Sequence, residues 1–190
     1  MDIIEIIEAA AFVTGIIYIV LEILQKNAMW ILGILTGIAC AYSFGVQGLY
    51  ASMGLNVYYV FVSVWGLVQW RKDSGASEGA IHLNRLTPGA AAASAAVFAA
   101  GTLVLGFLLQ ALGGSETWLD AGVTMLSAIG TFWLARSYPQ QWLVWIVADA
   151  LYTVLCAVQG MPWMTVLYVA YTAAAAYGYF HWTRSGKYLE

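Results

Sequence analysis

A constant offset of 112 residues runs through this chain. The segment from Trp142 to Trp182 falls on Trp30 to Trp70 without a gap. Trp142 lands on Trp30, Val158-Gln159-Gly160 on Val46-Gln47-Gly48, Tyr171 on Tyr59, Gly178 on Gly66 and Trp182 on Trp70. A fixed offset with tryptophans at both ends marks an internal duplication, so any fold for this chain must be built twice from one unit.

The solvent of that unit follows from composition. Of 190 residues, 62% are hydrophobic and 9% are charged, against about 25% charged in soluble domains. Such a chain lacks the polar surface to stay in water, and it reads as an integral membrane protein. A membrane-crossing helix needs roughly 20 apolar residues. Seven candidates run from Ile6 to Leu24, Ala28 to Val46, Tyr50 to Trp70, Pro88 to Leu112, Trp118 to Ala135, Trp142 to Val158 and Trp163 to Trp182. The start Met1-Asp2-Ile3-Ile4-Glu5 is acidic, without the positive start of a cleaved signal, so the first run is expected as a retained helix. Cys40 and Cys156 lie inside apolar runs and read as small packing residues.

The expected organisation is a first three-helix repeat (1–70), a cytoplasmic loop (71–87), a crossover helix (88–112), a second three-helix repeat (113–184) and a cytoplasmic tail (185–190). The Ala-rich helix after Thr87-Pro88 has no copy elsewhere. Three helices, one unpaired helix and three more make both triplets enter the membrane the same way. Parallel repeats of this kind pack about an axis along the membrane normal, and transporters so built bind substrate near the midplane. Lys26, Arg71, Lys72, Arg85, Arg136, Arg184 and Lys187 all fall on one side of this arrangement. The positive-inside rule makes that side cytoplasmic, with the N-terminus outside and the C-terminus inside.

Asp149 carries the strongest chemical signal. It sits seven residues past Trp142, roughly 10 Å along the helix at 1.5 Å per residue. An acid at that depth costs about 2.5–3.5 kcal/mol on insertion scales, and such acids face cavities and mark pathways. A protonated, internally bonded Asp is the plain alternative. Trp145 at i−4 and Tyr152 at i+3 share its face. An acid between two aromatics suits a flat cation, through charge pairing and cation–π contact.

A second stripe follows on the third helix, where Asn56, Tyr59, Ser63, Gly66 and Trp70 keep helical spacing. Its copy reads Tyr168, Tyr171, Ala175, Gly178 and Trp182. A polar stripe in a membrane faces a partner helix or an aqueous path. Asn56, Tyr59 and Tyr168 are candidate lining residues, with Trp65 and Gln69 behind them. Gly66 and Gly178 read as close-packing positions. Trp30, Trp70, Trp142 and Trp182 read as an interfacial aromatic belt. Glu22 is expected to pair with Lys26 at i+4. Gln47 and Gln159 read as helix caps or water-facing residues at the outer turns, with a role at an entrance as the alternative. Glu8 and Asp120 lie near the outer surface, either solvated or attracting a cation.

Several chemistries have no residues to carry them. His82 and His181 have no acid or Cys at metal-ligand spacing beside them. No glycine motif would cradle a phosphate, and no Ser or Cys has a His partner within the membrane. The three lysines sit at predicted boundaries, so a buried retinal Schiff base is excluded. Coupling to an ion gradient has thin support, with Asp149 the one well-buried acid. No catalytic residue, metal site or cofactor is expected, and the chain does not read as an enzyme.

These residues resemble the PnuC family of bacterial vitamin transporters over about Glu8 to Trp182. Leu49-Tyr50-Ala51 and Gly66-x-x-x-Trp70 are similar to its first repeat. Trp118-Leu119-Asp120, Arg136-x-Tyr138, Gln141-Trp142-Leu143-x-Trp145, Gln159-Gly160 and Tyr168 are similar to its second. The resemblance implies an all-α, three-plus-one-plus-three fold like a full-length SWEET sugar transporter. It implies facilitated diffusion across the bacterial inner membrane, with trapping by a cytoplasmic kinase. The expected partners are a small vitamin, the bilayer and that kinase, with no nucleic acid and with lipid-facing surface for self-association. Nicotinamide riboside members carry Asn where this chain has Asp149, Gln near Asn56 and Asn near Ser63. The segment Gly54-x-Asn56-Val57-Tyr58-Tyr59 looks more like the thiamine branch, PnuT. These departures tilt the expectation to thiamine, with nicotinamide riboside as the alternative and ion-coupled transport behind both.

Overall fold

A computed structural model of the chain describes residues 3–46, 50–76, 81–111, 117–158 and 162–189. Among these, seven helices and two short strands follow in order: α1 (Ile3–Ile23), α2 (Ala28–Val46), α3 (Tyr50–Ala76), β1 (His82–Leu83), α4 (Pro88–Ala111), α5 (Thr117–Ala135), α6 (Gln141–Val158), α7 (Pro162–Ser185) and β2 (Lys187–Tyr188). By length and apolarity, α4 (Pro88–Ala111) and the stretch Trp118–Ala135 are each sufficient to cross a membrane. Val13–Ile23, Ala28–Tyr42 and Gln141–Val154 are shorter apolar stretches. Gln47 and Gln159, expected as caps, lie outside the described residues.

Two helix ends are built alike. At the end of α1, Lys26 N–H donates to Leu21 O at 2.8 Å and Gln25 N–H to Glu22 O at 3.0 Å. Gln25 takes the left-handed conformation, φ 50°. At the end of α5, Tyr138 N–H donates to Trp133 O at 3.0 Å, and Ser137 has φ 55°. Both are Schellman caps, in which one left-handed residue turns the chain and satisfies orphan carbonyls. The following helices start alike too. Met29 N–H bonds Lys26 O and Trp30 N–H bonds Asn27 O, as Gln141 N–H bonds Tyr138 O and Trp142 N–H bonds Pro139 O. Each of these pairs is separated by the 112-residue offset.

The chain divides into two units. The first comprises Met1–Leu83, Ala135–Ser137 and Phe180–Glu190. Within it α2 and α3 are the most closely packed helices. Gly33 and Gly37 permit this, because a β-carbon at Gly37 would come within 2.8 Å of Val60 on α3 and one at Gly33 within 3.0 Å of Ser63 Oγ. The Trp30 indole fills the notch at Gly66, where an added β-carbon would lie 2.6 Å from the ring. Trp30 then meets Trp70 edge-on at 5.1 Å, and Trp70 meets Trp182 at 6.1 Å. Trp182 Nε1 donates to Ile23 O at 3.0 Å, capping the last turn of α1.

The expected aromatic belt is therefore overturned. Trp30, Trp70, Trp142 and Trp182 are all fully buried, 0% exposed. A bilayer interface and a protein core both accept an indole, and here the glycine notches decide for the core. The Glu22–Lys26 pair is absent as well. Glu22 is buried while Lys26 is exposed and makes no ion pair among the described residues. The left-handed turn at Gln25 ends the helix between them, so the i+4 geometry is lost.

The stretch expected as a loop from 71 to 87 is partly ordered into elements. α3 continues to Ala76. Gln69 Nε2 donates to the Asp73 carboxylate at 3.2 Å and Ser74 Oγ to Trp70 O at 2.6 Å, and no proline interrupts the run. β1 pairs in parallel with β2, His82 opposite Lys187. The Gln25 side chain brackets this strand, donating to His82 O at 2.9 Å and accepting from His82 N–H at 2.8 Å. The His82 ring is buried edge-on against Trp70, and its Nε2 has no hydrogen-bond partner among the described residues. Burial pushes this imidazole below its ordinary 6.5, opposed by the Asp73 carboxylate 3.9 Å away.

The second unit comprises Asn84–Leu134 and Tyr138–Tyr179. Thr87 caps α4, its Oγ1 accepting from Ala90 N–H at 3.2 Å, with Pro88 at the first helical position. α4 lies along α5. Ser94 Oγ accepts from Trp133 Nε1 at 3.0 Å, Gly101 meets Met125, and Gly106 admits Trp118. Its other faces expose Val97, Leu103 and Val104. In the same unit the Trp142 indole fills the notch at Gly178, 2.7 Å from where a β-carbon would stand. Gly66 and Gly178 are thus close-packing positions, as the sequence suggests.

Candidate functional site

The second unit gathers four of the eight candidates. Asp149 lies midway along α6 and is buried, 6% exposed. Among the described residues no group donates a hydrogen bond to its carboxyl. Its backbone carbonyl is taken by Thr153 Oγ1 at 2.8 Å. An acid that deep with nothing to bond is costly, which is the reason buried charges are paired in folded proteins. One turn on, Tyr152 stacks on Tyr168 of α7, centroids 4.8 Å apart and planes within 16°. Tyr171 meets Tyr168 edge-on at 6.0 Å. Asp120 is exposed. One turn before Asp149, the Trp145 ring rests against Gly130 of α5, and its Nε1 is buried without a hydrogen-bond partner among the described residues.

The other four candidates belong to the first unit. Asn56 and Tyr59 are half-buried on α3, with Tyr58 and Tyr59 tilted against each other at 5.6 Å. Trp65 lies under the Arg136 guanidinium, 6.0 Å from ring centroid to charge, within the range of a cation–π contact. Gln69 is engaged with Asp73.

The two copies differ where the chemistry lies. Position 37 on α2 is Gly, closed against Val60. Its counterpart on α6 is Asp149. Position 33 is Gly, and its counterpart is Trp145. The helix face sealed in the first copy thus carries the acid and the orphaned indole in the second. Gly33, Gly37 and Gly130 were not candidates from periodicity alone. The 112-residue offset is the signal that finds them.

Among the described residues no group of three metal-ligating side chains occurs. Apolar helices with a buried acid one turn from stacked tyrosines have the make-up of a small-molecule membrane transporter. Comparison with known proteins sharpens this. The chain belongs to the nicotinamide mononucleotide transporter family, the PnuC family, whose model matches residues 5–184. The nicotinamide riboside transporter PnuC of Neisseria mucosa is 29% identical over 94% of this chain and 72% of its own length. That of Escherichia coli K12 is 24% identical over 95% of this chain and 86% of its own. A crystal structure of the vitamin B3 transporter PnuC matches with a TM-score of 0.70 and 27% identity, over 93% of this chain and 80% of that one. The family and these relatives are transporters, not enzymes.

Proposed function

We propose that this chain carries nicotinamide riboside, a flat cationic vitamin, across the bacterial inner membrane by facilitated diffusion. The observation that carries the reading is the Asp149 carboxyl, buried beside the Tyr152–Tyr168 stack and without a hydrogen-bond donor among the described residues. The named substrate of the relatives supports the choice of vitamin. In this reading Asp149 offsets the ligand charge. Tyr152, Tyr168 and Trp145, in the same unit, stack against it or bond to it. Asn56, Tyr59, Trp65 and Gln69 belong to the first unit, where Trp65 lies under Arg136 and Gln69 bonds Asp73.

The arrangement proposed is three helices, a crossover helix and three more, with α4 as the crossover. The one-sided basic residues favour an outside N-terminus. Transport is downhill, and phosphorylation by a cytoplasmic kinase keeps the vitamin inside. Thiamine is the second reading. It is favoured by Asp149, which stands where an amide serves nicotinamide riboside members, since a carboxylate also accepts from an aminopyrimidine.

Calorimetry on the purified protein decides between them. Replacing Asp149 with Ala is expected to weaken binding of the true substrate tenfold or more, as one lost charge pair is on the order of 1.4 kcal/mol. Unchanged affinity for both vitamins removes Asp149 from the site. Uptake into proteoliposomes that persists after ion gradients are dissipated supports facilitated diffusion, and collapse of uptake supports ion coupling.

A further inference from the structure

The duplication contains an exchange of volumes. Position 18 on α1 is Tyr, and its counterpart on α5 is Gly130. Position 33 on α2 is Gly, and its counterpart on α6 is Trp145. In the first copy a β-carbon on Gly33 would lie 3.8 Å from Tyr18 Cε2. In the second, one on Gly130 would lie 3.2 Å from Trp145 Cε2 and 3.3 Å from Cζ2. One helix pair is packed ring into gap and the other gap onto ring. Volume across the contact is largely kept, the kind of change cores tolerate. What differs is which helix carries the ring.

In the second copy the ring is on the helix of Asp149, one turn before it. Its Nε1 is buried and lacks a hydrogen-bond partner among the described residues. A packing role would be served by Phe or Leu, neither of which buries an unpaired donor. Cε2, the ring atom nearest Gly130, is bonded to Nε1. The clearance at Gly130 therefore sets the place of that N–H.

We propose that Gly130 is a positioning residue for the substrate: the gap it leaves on α5 seats the Trp145 indole so that its N–H meets an acceptor on the bound vitamin. The ligand it fits is a flat cation with a hydrogen-bond acceptor on its edge. This rests on the reading of the Asp149 face as the substrate site, and the two are tested separately.

The first test needs no ligand. In protein labelled with 5-fluorotryptophan, the Trp145 resonance is identified by its loss in Trp145→Phe. Gly130→Ala places a methyl group against the indole and is expected to move that resonance. An unmoved resonance overturns the proposal. The second test is a double-mutant cycle on affinity for nicotinamide riboside and for thiamine, by calorimetry. Gly130→Ala is expected to weaken binding about five- to tenfold in the otherwise native protein and to leave it unchanged in the Trp145→Phe background. Equal weakening in both backgrounds, or none in either, overturns it. Trp145→Phe alone, which introduces no clash, is expected to lower affinity by a similar factor, and unchanged affinity would also overturn it. A native protein that binds neither vitamin counts against the functional reading, while the resonance still decides the seating of Trp145.

Discussion

Gln25 and Ser137 occupy equivalent places in the two copies and touch each other. Gln25 Nε2 donates to Ser137 Oγ at 3.4 Å, and both residues are left-handed, φ 50° and 55°. A left-handed turn suits glycine, and neither copy uses it. Gln25 earns its place through its amide, which also brackets the His82 peptide. Ser137 is fully buried. Replacing it with Val, a branched residue at positive φ, is expected to cost about 1–2 kcal/mol, measured by thermal unfolding in detergent. Gln25→Ala leaves the His82 backbone groups unbracketed and is expected to speed hydrogen exchange at His82 and Lys187.

The notches make a symmetric prediction. A β-carbon on Gly66 would stand 2.6 Å from Trp30, and one on Gly178 would stand 2.7 Å from Trp142. Gly66→Ala and Gly178→Ala are each expected to destabilise the protein by about 1–3 kcal/mol through overpacking. Equal losses in denaturant unfolding would match the equal geometry. A tolerated substitution at either site would mean that its indole yields.

Stability should fall on acidification through His82. Its folded value lies below the ordinary 6.5 because burial disfavours the charged ring. The unfolded chain therefore binds the proton more readily, and stability rises with pH across the interval between the two values. The contribution of the neutral ring is present above about 6.5 and is lost as pH falls through that interval. Thermal midpoints recorded across pH 5–8 should show this slope, and His82→Phe should flatten it.

The tyrosine stack predicts a contrast between two variants at one position. Tyr168→Phe keeps the ring on Tyr152, whereas Tyr168→Ala removes it. An aromatic pair of this kind is worth about 0.5–1.5 kcal/mol beyond buried area. Under the proposed function, Tyr168→Ala should weaken nicotinamide riboside binding by up to about tenfold while Tyr168→Phe stays within about twofold. Calorimetry on both variants checks it.

Much of this architecture could be read before any coordinates. The bounds Ala28–Val46 and the ends at Ala135 and Val158 follow from apolar runs interrupted by polar or turn-forming residues. The β1–β2 pair could not be read, because two residues paired with the far end of the chain leave no local pattern. The burial of the four tryptophans was hidden for another reason. Apolar preference does not tell lipid from protein, and only the glycine facing each ring does so. At the candidate site, the face shared by Asp149 and Tyr152 was visible as helical spacing. Which side chains satisfy an acid is a property of the packed helices, so the solitude of the Asp149 carboxyl was not.

An indole seated in a notch works like a key on a shaft. Trp30 locks α2 to α3, and Trp142 locks α6 to α7. Neither pair can slip lengthwise without first withdrawing a ring. A single ring thus holds each pair in one lengthwise register.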